Sequence, residues 1–325
     1  MSGQVLYLQP VLAACELSAQ FAYLGIKKLT ATCYAGSPIA QQQLSLFEED
    51  TPAPKRKPYC ATITDYRDWN GDGRTDLLDI RYMLEHQIGC TVRVLDGDGD
   101  FRSPECVELL KDADIVCTNP PHSLLREYIA QLVAYNKKFL ILGNINAVTY
   151  KEVFPLIMQN KMWLGVTIHS GDRKFNVPDS YPLRAAGCGI DDDGRKFIRV
   201  KGVRWFTNLP VKEMMEYITL FQHYTPERYP KYDNYDAIEV SRTSDIPCDY
   251  DGVMGVPITF LDKYNPDQFE ILGITEKDSP YATGPGKTDR PYLNGKRLYV
   301  RLLIRRKQYD ENGDFYSIIH HGGGN

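Results

Sequence analysis

The sequence lacks any long hydrophobic run, which argues against a membrane-spanning helical protein. None of its apolar stretches approaches the roughly 18 residues that a bilayer-crossing helix needs. The N-terminal segment has neither a basic start nor an apolar core with a small-residue cleavage site, so we expect no signal peptide. Lys and Arg number 38 against 42 Asp and Glu, so any nucleic-acid role must come from a local basic patch.

Paired-cysteine motifs are also missing. None of the eight cysteines forms a CxxC pair or shares zinc-finger spacing with histidines, which argues against a structural zinc site. Several cysteines lie in apolar, strand-like runs such as DIVCT. We therefore expect buried free thiols and a cytoplasmic protein.

From Thr91 onward the sequence alternates between short apolar runs and amphipathic segments. The predicted strands are TVRVL, DIVCT, KFLILGN and KMWLGVTI. The intervening helices are SPECVELLKDA, with Ser103 as N-cap, HSLLREYIAQLVAY, and TYKEVFPLIMQN, with a capping box of Thr149 and Glu152. This order predicts an α/β fold with a doubly wound, mostly parallel sheet.

The periodicity weakens after about residue 175, where strands and long loops are expected. One of them, GCGIDDDGRKF, is typical of a hairpin. We predict a catalytic core over residues 1–175 and a second region over residues 176–325.

The sharpest local feature is Asn119-Pro120-Pro121, which ends an apolar strand and opens an amphipathic helix. Each proline fixes φ at about −65° and removes a backbone donor. What remains is a rigid corner that presents the Asn119 side-chain oxygen and a backbone carbonyl, two acceptors that suit an exocyclic amine. The alternative is an ordinary strand-ending turn.

The residues around this corner resemble the EcoRI-like adenine-specific DNA methyltransferases. The similar segments are GDGDFRSPECVELLKDADIVCTNPP, SLLREYIAQLVAYNKKFLILGN, TYKEVF, MWLG and YPKYDNYDAIEV...DIPCDYDGVMGVPITFLDKYNPDQFEI. The resemblance implies methyl transfer from S-adenosylmethionine to the N6 amine of adenine in double-stranded DNA. It also implies a Rossmann-like methyltransferase sheet, a C-terminal target-recognition region, and a restriction-modification setting in a prokaryotic or virus-infected cell. A cognate restriction endonuclease is then a candidate partner.

The same resemblance assigns catalytic roles at the corner. Asn119 and the carbonyl of Pro120 would accept hydrogen bonds from the target amine once the base has left the stack. Pro121 stiffens the corner. His122 stands where the family carries an aromatic residue that stacks on the base, and a neutral imidazole presents a smaller face.

Cofactor binding is assigned by resemblance to Asp100 and Phe101. Asp100 would accept a bond from the amine of the cofactor's adenine, and Phe101 would pack against its ring. The family's N-terminal cofactor motif is missing or altered, with only Glu16 and Ser18 as polar candidates, and Gly187–Gly189 is discounted because it opens no helix. We therefore expect an N-terminally incomplete sheet.

Two other functions stay open. A catalytically inactive or truncated DNA-binding relative would follow if the cofactor cannot bind. Methylation of a glutamine amide in a protein also uses an Asn-Pro-Pro corner, but the similarity of the C-terminal segments favours DNA.

A second motif, DWNGDGRTDLLD, has the spacing of a calcium loop over residues 68–79. Its candidate ligands are Asp68, Asn70, Asp72, the carbonyl of Arg74, and Asp79. An Asp in place of the bidentate Glu at the last position weakens such a site. The alternative is a loop held by Asx turns without an ion.

Positive charge is concentrated in residues 285–307, where eight Lys and Arg and a single acid give a net charge of +7. A second basic cluster is GRKFIRVKGVRW. Such clusters neutralise DNA phosphates with a salt-dependent affinity, although a solvated charged face is the common alternative. The predicted DNA-binding residues are Arg297, Arg301, Arg305 and Arg306.

Overall fold

The computed structural model describes residues 4–7, 25–35, 58–75, 77–86, 88–120, 122–168, 172–177, 179, 181–184, 187–212, 216–276, 278–283, 289–309 and 315–316. The chain forms two compact units. The first combines Met1–Asn144 with Trp205–Leu209, and the second combines Ile145–Arg204 with Pro210–Asn325.

The strands and helices are numbered in chain order. The strands are β1 (Gln4–Tyr7), β2 (Lys28–Cys33), β3 (Tyr59–Ile63), β4 (Cys90–Val94), β5 (Ile115–Thr118), β6 (Lys138–Asn144), β7 (Trp163–Leu164), β8 (Asp172–Asn176), β9 (Gly189–Ile190), β10 (Lys196–Lys201), β11 (Val203–Thr207), β12 (Ile238–Glu239), β13 (Met254–Pro257), β14 (Phe269–Ile274), β15 (Tyr292–Leu293), β16 (Lys296–Arg297), β17 (Arg301–Arg306), β18 (Gln308–Tyr309) and β19 (Phe315–Tyr316). The α-helices are α1 (Leu77–His86), α2 (Pro104–Asp112), α3 (Leu125–Ala134) and α4 (Phe154–Met158).

The first unit is built on a sheet with the strand order β4-β3-β2-β1-β5-β6-β11. Strand β1 is parallel to β2 and β5, and β5 is parallel to β6. Strand β3 is antiparallel to both β2 and β4, so β4 runs in the same direction as β2. The sheet is therefore mixed, with parallel pairs at β1 and β5 and antiparallel pairs at β3. The periodicity missed β3 and the central strand β1.

The sheet core explains why these segments become strands. Val116 of β5 and Phe139 and Ile141 of β6 are each at most 1% exposed, and burial alternates along both strands, as expected when one face of a sheet packs against the core. Past the end of β11, the side-chain amide of Asn208 accepts the Phe139 N–H at 2.8 Å and donates to the Lys137 carbonyl at 2.9 Å. These bonds hold the returning chain beside β6.

The compact units therefore differ from the boundary that the sequence indicates near residue 175. The first unit ends at Asn144 and takes up residues 205–209 again. The return is held by packing as well as by hydrogen bonds, because a Cβ at Gly143 would lie only 2.9 Å from the ring of Phe206. Glycine is thus required where β6 meets the returning strand.

Local sequence signals predict two helices well. Ser103 caps α2, and its hydroxyl accepts the Cys106 N–H at 3.3 Å. The helical spacing of Leu125, Ile129, Leu132 and Val133 predicts a buried face on α3. The first three are buried, whereas Val133 is 42% exposed. None of the described helices is long and apolar enough to cross a membrane.

The predicted capping box at Thr149 is wrong. The Thr149 hydroxyl donates to the Asn146 carbonyl at 2.9 Å instead of capping a helix. Helix α4 begins only at Phe154, and its N-cap residue Val153 makes no side-chain cap bond. Residues 145–149 instead form a 3-10 turn that ends before the helix.

The second unit contains several small sheets rather than one large one. Its described sheets have the orders β8-β10-β9, β12-β13-β17-β14, β15-β16 and β18-β19. The predicted hairpin is confirmed, since β9 and β10 are antiparallel and Gly194 N–H closes the turn on the Asp191 carbonyl at 2.9 Å.

The described cysteines are free thiols, as expected. The buried ones are Cys60, Cys90 and Cys106. The half-buried ones are Cys117, Cys188 and Cys248. Burial raises the pKa of the Cys117 thiol to about 11, so this thiol stays protonated near neutral pH.

Candidate active site

The strand order reverses between β1 and β5. From β1 the chain builds β2, β3 and β4 on one side of the sheet and then β5 and β6 on the other. In open α/β sheets such a switch point forms a crevice at the carboxyl ends of the strands, where ligands bind. Asn119 directly follows β5, so the Asn-Pro-Pro corner lies at the edge where a ligand is expected.

The residues of the Asn-Pro-Pro corner differ in burial. Thr118 and Pro120 are buried, whereas Asn119 between them is exposed. The backbone from His122 forms a 3-10 turn that leads directly into α3. Pro121 and the side chain of His122 lie outside the described residues. Asn119 therefore lies exposed at the sheet edge, and its two buried neighbours hold its backbone in place.

The predicted cofactor residues follow β4 at the same edge of the sheet. The Asp98 carbonyl accepts the Ala35 N–H at 2.9 Å, which ties this loop to the chain past β2. The Asp98 carboxylate accepts the Asp100 N–H at 2.9 Å, and the Glu105 carboxylate accepts the Asp96 N–H at 2.9 Å. The loop is therefore shaped by its own acids.

Asp100 is held by Arg102. The guanidinium donates from Nε to Oδ1 and from Nη2 to Oδ2, each at 2.8 Å, and the Arg102 backbone N–H also reaches Oδ1 at 2.8 Å. These bonds hold the pKa of Asp100 below its usual value, so this acid is ionised at neutral pH. With Oδ1 doubly occupied, Oδ2 keeps an acceptor position.

Helix α3 connects the two predicted motifs. Arg102 donates from Nη1 to Glu127 at 2.8 Å, and Gln131 donates to the Phe101 carbonyl at 3.1 Å. The Phe101 ring meets the Tyr128 ring edge to face, with centroids 4.9 Å apart. Because α3 also continues the chain from the Asn-Pro-Pro corner, the same helix positions both motifs.

These residues fit an adenine in chemical terms. Asp100 offers an ionised acceptor for an exocyclic amine, and the neighbouring half-buried ring of Phe101 offers a flat apolar surface. The other polar candidates, Glu16 and Ser18, lie outside the described residues. Partners for the rest of a cofactor are therefore not assigned.

The 68–79 loop uses its acids to hold its own backbone. The carboxylate of Asp68 accepts the N–H groups of Gly71 at 2.6 Å and Gly73 at 2.8 Å. Asp79 is fully buried and accepts the N–H groups of Trp69 at 2.7 Å and Asn70 at 3.1 Å. The pattern is that of a loop closed by side-chain acceptors.

The remaining predicted calcium ligands continue this pattern. The Asn70 side chain accepts the Asp72 N–H, and the Asp72 carboxylate accepts the Arg74 N–H, both at 2.9 Å. In the part of the chain that the structure describes, the carboxylates of Asp68, Asp72 and Asp79 do not converge into a three-ligand group. The geometry does not support a calcium site.

All four predicted DNA-binding arginines are ion-paired within the second unit. The pairs are Arg297 with Asp289 at 3.1 Å, Arg301 with Glu239 at 2.8 Å, Arg305 with Glu270 at 3.0 Å, and Arg306 with Asp251 at 3.2 Å. Acidic side chains that are nearby in space therefore pair with these four arginines, although the sequence shows no such pairing.

The Arg301 pair lies in the interior of this unit. The side chains of Arg301 and Glu239 are 12% and 7% exposed, and Nε and Nη2 each bond one carboxylate oxygen, at 3.1 and 2.8 Å. The hydroxyl of Tyr232 also donates to Glu239. Arg301 cannot meet a phosphate without breaking this network, so its predicted DNA contact is not supported.

Sequence reasoning missed one side-chain cluster. Nδ1 of His223 lies 2.9 Å from Asp249 and 3.7 Å from the Cys248 sulfur, and the Cys248 N–H bonds the Gln222 carbonyl at 2.8 Å. These contacts join two segments about 25 residues apart. No short spacing marks such a cluster, so only tertiary structure reveals it.

A mixed α/β sheet with a switch point between β1 and β5 and an Asn-Pro-Pro corner at the end of β5 is consistent with a methyltransferase fold. The chain belongs to the family described as adenine-specific methyltransferase EcoRI, whose sequence profile matches residues 16–307.

Relatives in two bacteria agree with this membership. Type II methyltransferase M.EcoRI of Escherichia coli is 43% identical over 297 residues, 90% of this chain and 81% of that protein. Type II methyltransferase M.MpnI of Mycoplasma pneumoniae is 38% identical over 228 residues, 66% of this chain and 70% of that protein. No solved structure matches the chain.

Proposed function

We propose that this protein transfers a methyl group from S-adenosylmethionine to the N6 amine of adenine in double-stranded DNA. The observation that carries the proposal is the exposed amide of Asn119 at the switch point of the sheet. Family membership supports the reaction type. The Type II names of the relatives favour a cytoplasmic restriction-modification setting, with a cognate endonuclease as candidate partner.

The chemistry assigned to the corner is positioning. The target adenine must leave the stack, which costs a few kcal/mol. The Asn119 oxygen and the Pro120 carbonyl then accept hydrogen bonds from the two N–H groups of its amine, which directs the nitrogen lone pair at the methyl donor. As the N–CH3 bond would form, the S–CH3 bond would break to leave S-adenosylhomocysteine, and the methylated amine would lose one proton to solvent. S-adenosylmethionine supplies the methyl group as a sulfonium electrophile. Holding the amine in line is the protein's contribution, and no metal or covalent nucleophile is needed.

Cofactor binding is assigned to Asp100 and Phe101. The open acceptor position on Asp100 Oδ2 suits the amine of the cofactor's adenine, and the Phe101 ring suits its face. Both residues belong to a Rossmann-like methyltransferase sheet in this proposal. Strand β1 lies between β2 and β5. The N-terminally incomplete sheet stays a prediction.

Incubation of the protein with S-adenosylmethionine and mixed duplex DNA tests the proposal. Mass spectrometry of the digested DNA should detect N6-methyladenine. The competing function, a catalytically inactive DNA-binding relative, predicts DNA binding without methylation and without a measurable binding curve for S-adenosylmethionine. That combination of results would replace the proposal.

His122→Phe is expected to keep or raise methyl transfer. The larger aromatic face stacks better on a flipped base, and a phenyl ring does not titrate near neutral pH as an imidazole does. Single-turnover rates on the same DNA measure the change. A large loss of rate in the folded variant would show that His122 has a polar role instead.

The spacing of residues 68–79 predicts calcium binding, but the geometry of the loop does not support it. We therefore expect no calcium binding. Titration with millimolar calcium should release no heat. Asp79→Ala should instead lower the free energy of unfolding by about 1–3 kcal/mol without calcium, because two backbone N–H groups lose their acceptor.

Asp79→Asn is the matched control for this loop. It keeps a side-chain oxygen as acceptor and should retain most of the stability. A calcium-dependent rise in the melting temperature of the wild-type protein, absent from Asp79→Asn, would restore the calcium site.

Recognition of the DNA target is assigned to the second unit, which covers most of the predicted region 176–325. With Arg301 committed to a buried pair, other cations of this unit must contact phosphates.

A further inference from the structure

One face of the sheet β8-β10-β9 is exposed and basic. In the antiparallel register of β8 and β10, Lys174 lies opposite Arg199, Asn176 opposite Phe197, and Asp172 opposite Lys201. Opposed residues share one face of a sheet, and five of these six side chains are exposed while the ring of Phe197 is half-buried. We call this surface the cationic face: Asp172, Lys174, Asn176, Phe197, Arg199 and Lys201.

The centre of the cationic face is an aromatic ring with two cations over it. The Lys174 ammonium lies 4.5 Å and the Arg199 guanidinium carbon 5.5 Å from the Phe197 ring centroid. Both distances are within the range of cation–π attraction. The ring therefore holds two positive side chains at one place on the open surface.

Two glycines of the discounted GCG motif make room for this arrangement. Gly189 pairs with Phe197, and a Cβ there would lie 3.1 Å from the ring. Gly187 has φ +83°, and a Cβ there would lie 3.5 Å from the Arg199 side chain. A side chain at Gly189 would crowd the ring, and the positive φ of Gly187 favours glycine, so this motif shapes a surface rather than a cofactor loop.

Arg199 differs from the C-terminal arginines in its partners. In the described part of the chain its guanidinium makes no ion pair and lies over the ring of Phe197. Lys174 is paired with Asp191 at 2.8 Å, and its side chain is 38% exposed. Arg199 is therefore a cation of this face whose charge is available to an incoming anion.

We infer that the cationic face binds the phosphate backbone of duplex DNA, with Arg199 as its principal phosphate contact. The inference rests on the proposed function, which makes DNA the substrate. DNA carries a dense, regular line of negative charge that matches cations displayed together on an exposed sheet face. Phosphate contacts of this kind position a duplex without reading its sequence.

Fluorescence anisotropy of the full chain with two unrelated labelled duplexes tests the inference. Arg199→Ala should weaken binding of both duplexes about 5-fold, and the slope of log K against log salt should shrink by about 0.9, the value for one lost phosphate contact. Arg199→Lys keeps the charge and should retain most of the affinity and the slope.

Arg67→Ala is the matched control. Arg67 is also an exposed arginine over an aromatic ring, 4.1 Å from the centroid of Trp69, and its removal changes the net charge equally; unlike Arg199, it pairs with an acid, Asp65, at 2.9 Å. This variant should leave both duplex affinities and the slope unchanged. Equal losses in the two variants would mean a non-specific charge effect and would overturn the inference.

The remaining outcomes separate the inference from the proposed function. Wild-type affinity and slope in folded Arg199→Ala, with methylation intact in the wild type, would overturn only the cationic face. Weaker binding with an unchanged slope would also overturn it, because the lost contact would not be to phosphate. A wild-type protein that binds DNA through Arg199 but never methylates it would overturn only the proposed function, and one that does not bind DNA would overturn both.

Discussion

Asn119→Ala is expected to lower the rate of methyl transfer to DNA by about 10²–10³-fold, the size of effect that follows loss of one preorganised hydrogen-bonding group at a reacting centre. Asn119 is an exposed residue at the sheet edge, and a urea unfolding curve checks that the variant is folded. Affinities for S-adenosylmethionine and DNA should change little. The loss should therefore appear in the single-turnover rate rather than in either binding curve.

Ser123→Ala controls for disturbance of the same turn. Ser123 is exposed and lies in the 3-10 turn that follows the corner, but the mechanism does not use it. Its variant should methylate at the wild-type rate. Equal methylation by the Asn119→Ala protein would end the catalytic assignment and leave the corner as a structural turn.

Arg301→Ala is expected to lower the free energy of unfolding by about 3–5 kcal/mol, the cost of removing one partner of a buried ion pair. The variant leaves Glu239 buried without the two guanidinium bonds that it accepts. Much of the effect is the cost of an unpaired carboxylate rather than the net worth of the pair. Urea unfolding of the full chain, followed by fluorescence, measures the change.

Arg297→Ala is the comparison variant that separates a role in folding from a role in DNA binding. Its side chain is 54% exposed and its pair with Asp289 is solvated, so its loss should cost less than about 1 kcal/mol. The prediction would be contradicted if Arg301→Ala unfolded like the wild type and lost DNA affinity instead. Arg301 would then belong to the DNA surface that its sequence position indicates.

Short-range signals were readable because they act within one or two turns of chain. The Ser103 cap and the buried stripe of α3 depend on residues three or four positions apart, and both are found as predicted. The Asn-Pro-Pro corner is likewise local, since two prolines restrict the backbone wherever they occur. The periodicity of the sequence did not reveal β1, because its four residues are too few to show a period.

The sequence alone does not show which cations form ion pairs, because the paired acids can lie far away along the chain. Glu239 lies 62 positions before Arg301, and only folding brings the two together. The reverse holds for Arg199, whose basic stretch looks no different from the others until the sheet exposes it over Phe197.

Residue type and close spacing were enough to indicate the family and to predict the Asn-Pro-Pro corner and the helices around it. Only the folded chain shows that α3, which follows Asn119, also contacts Phe101 and Arg102, and which arginines are ion-paired. Both follow from contacts between distant segments, whose free energy exists only when the sheets have formed.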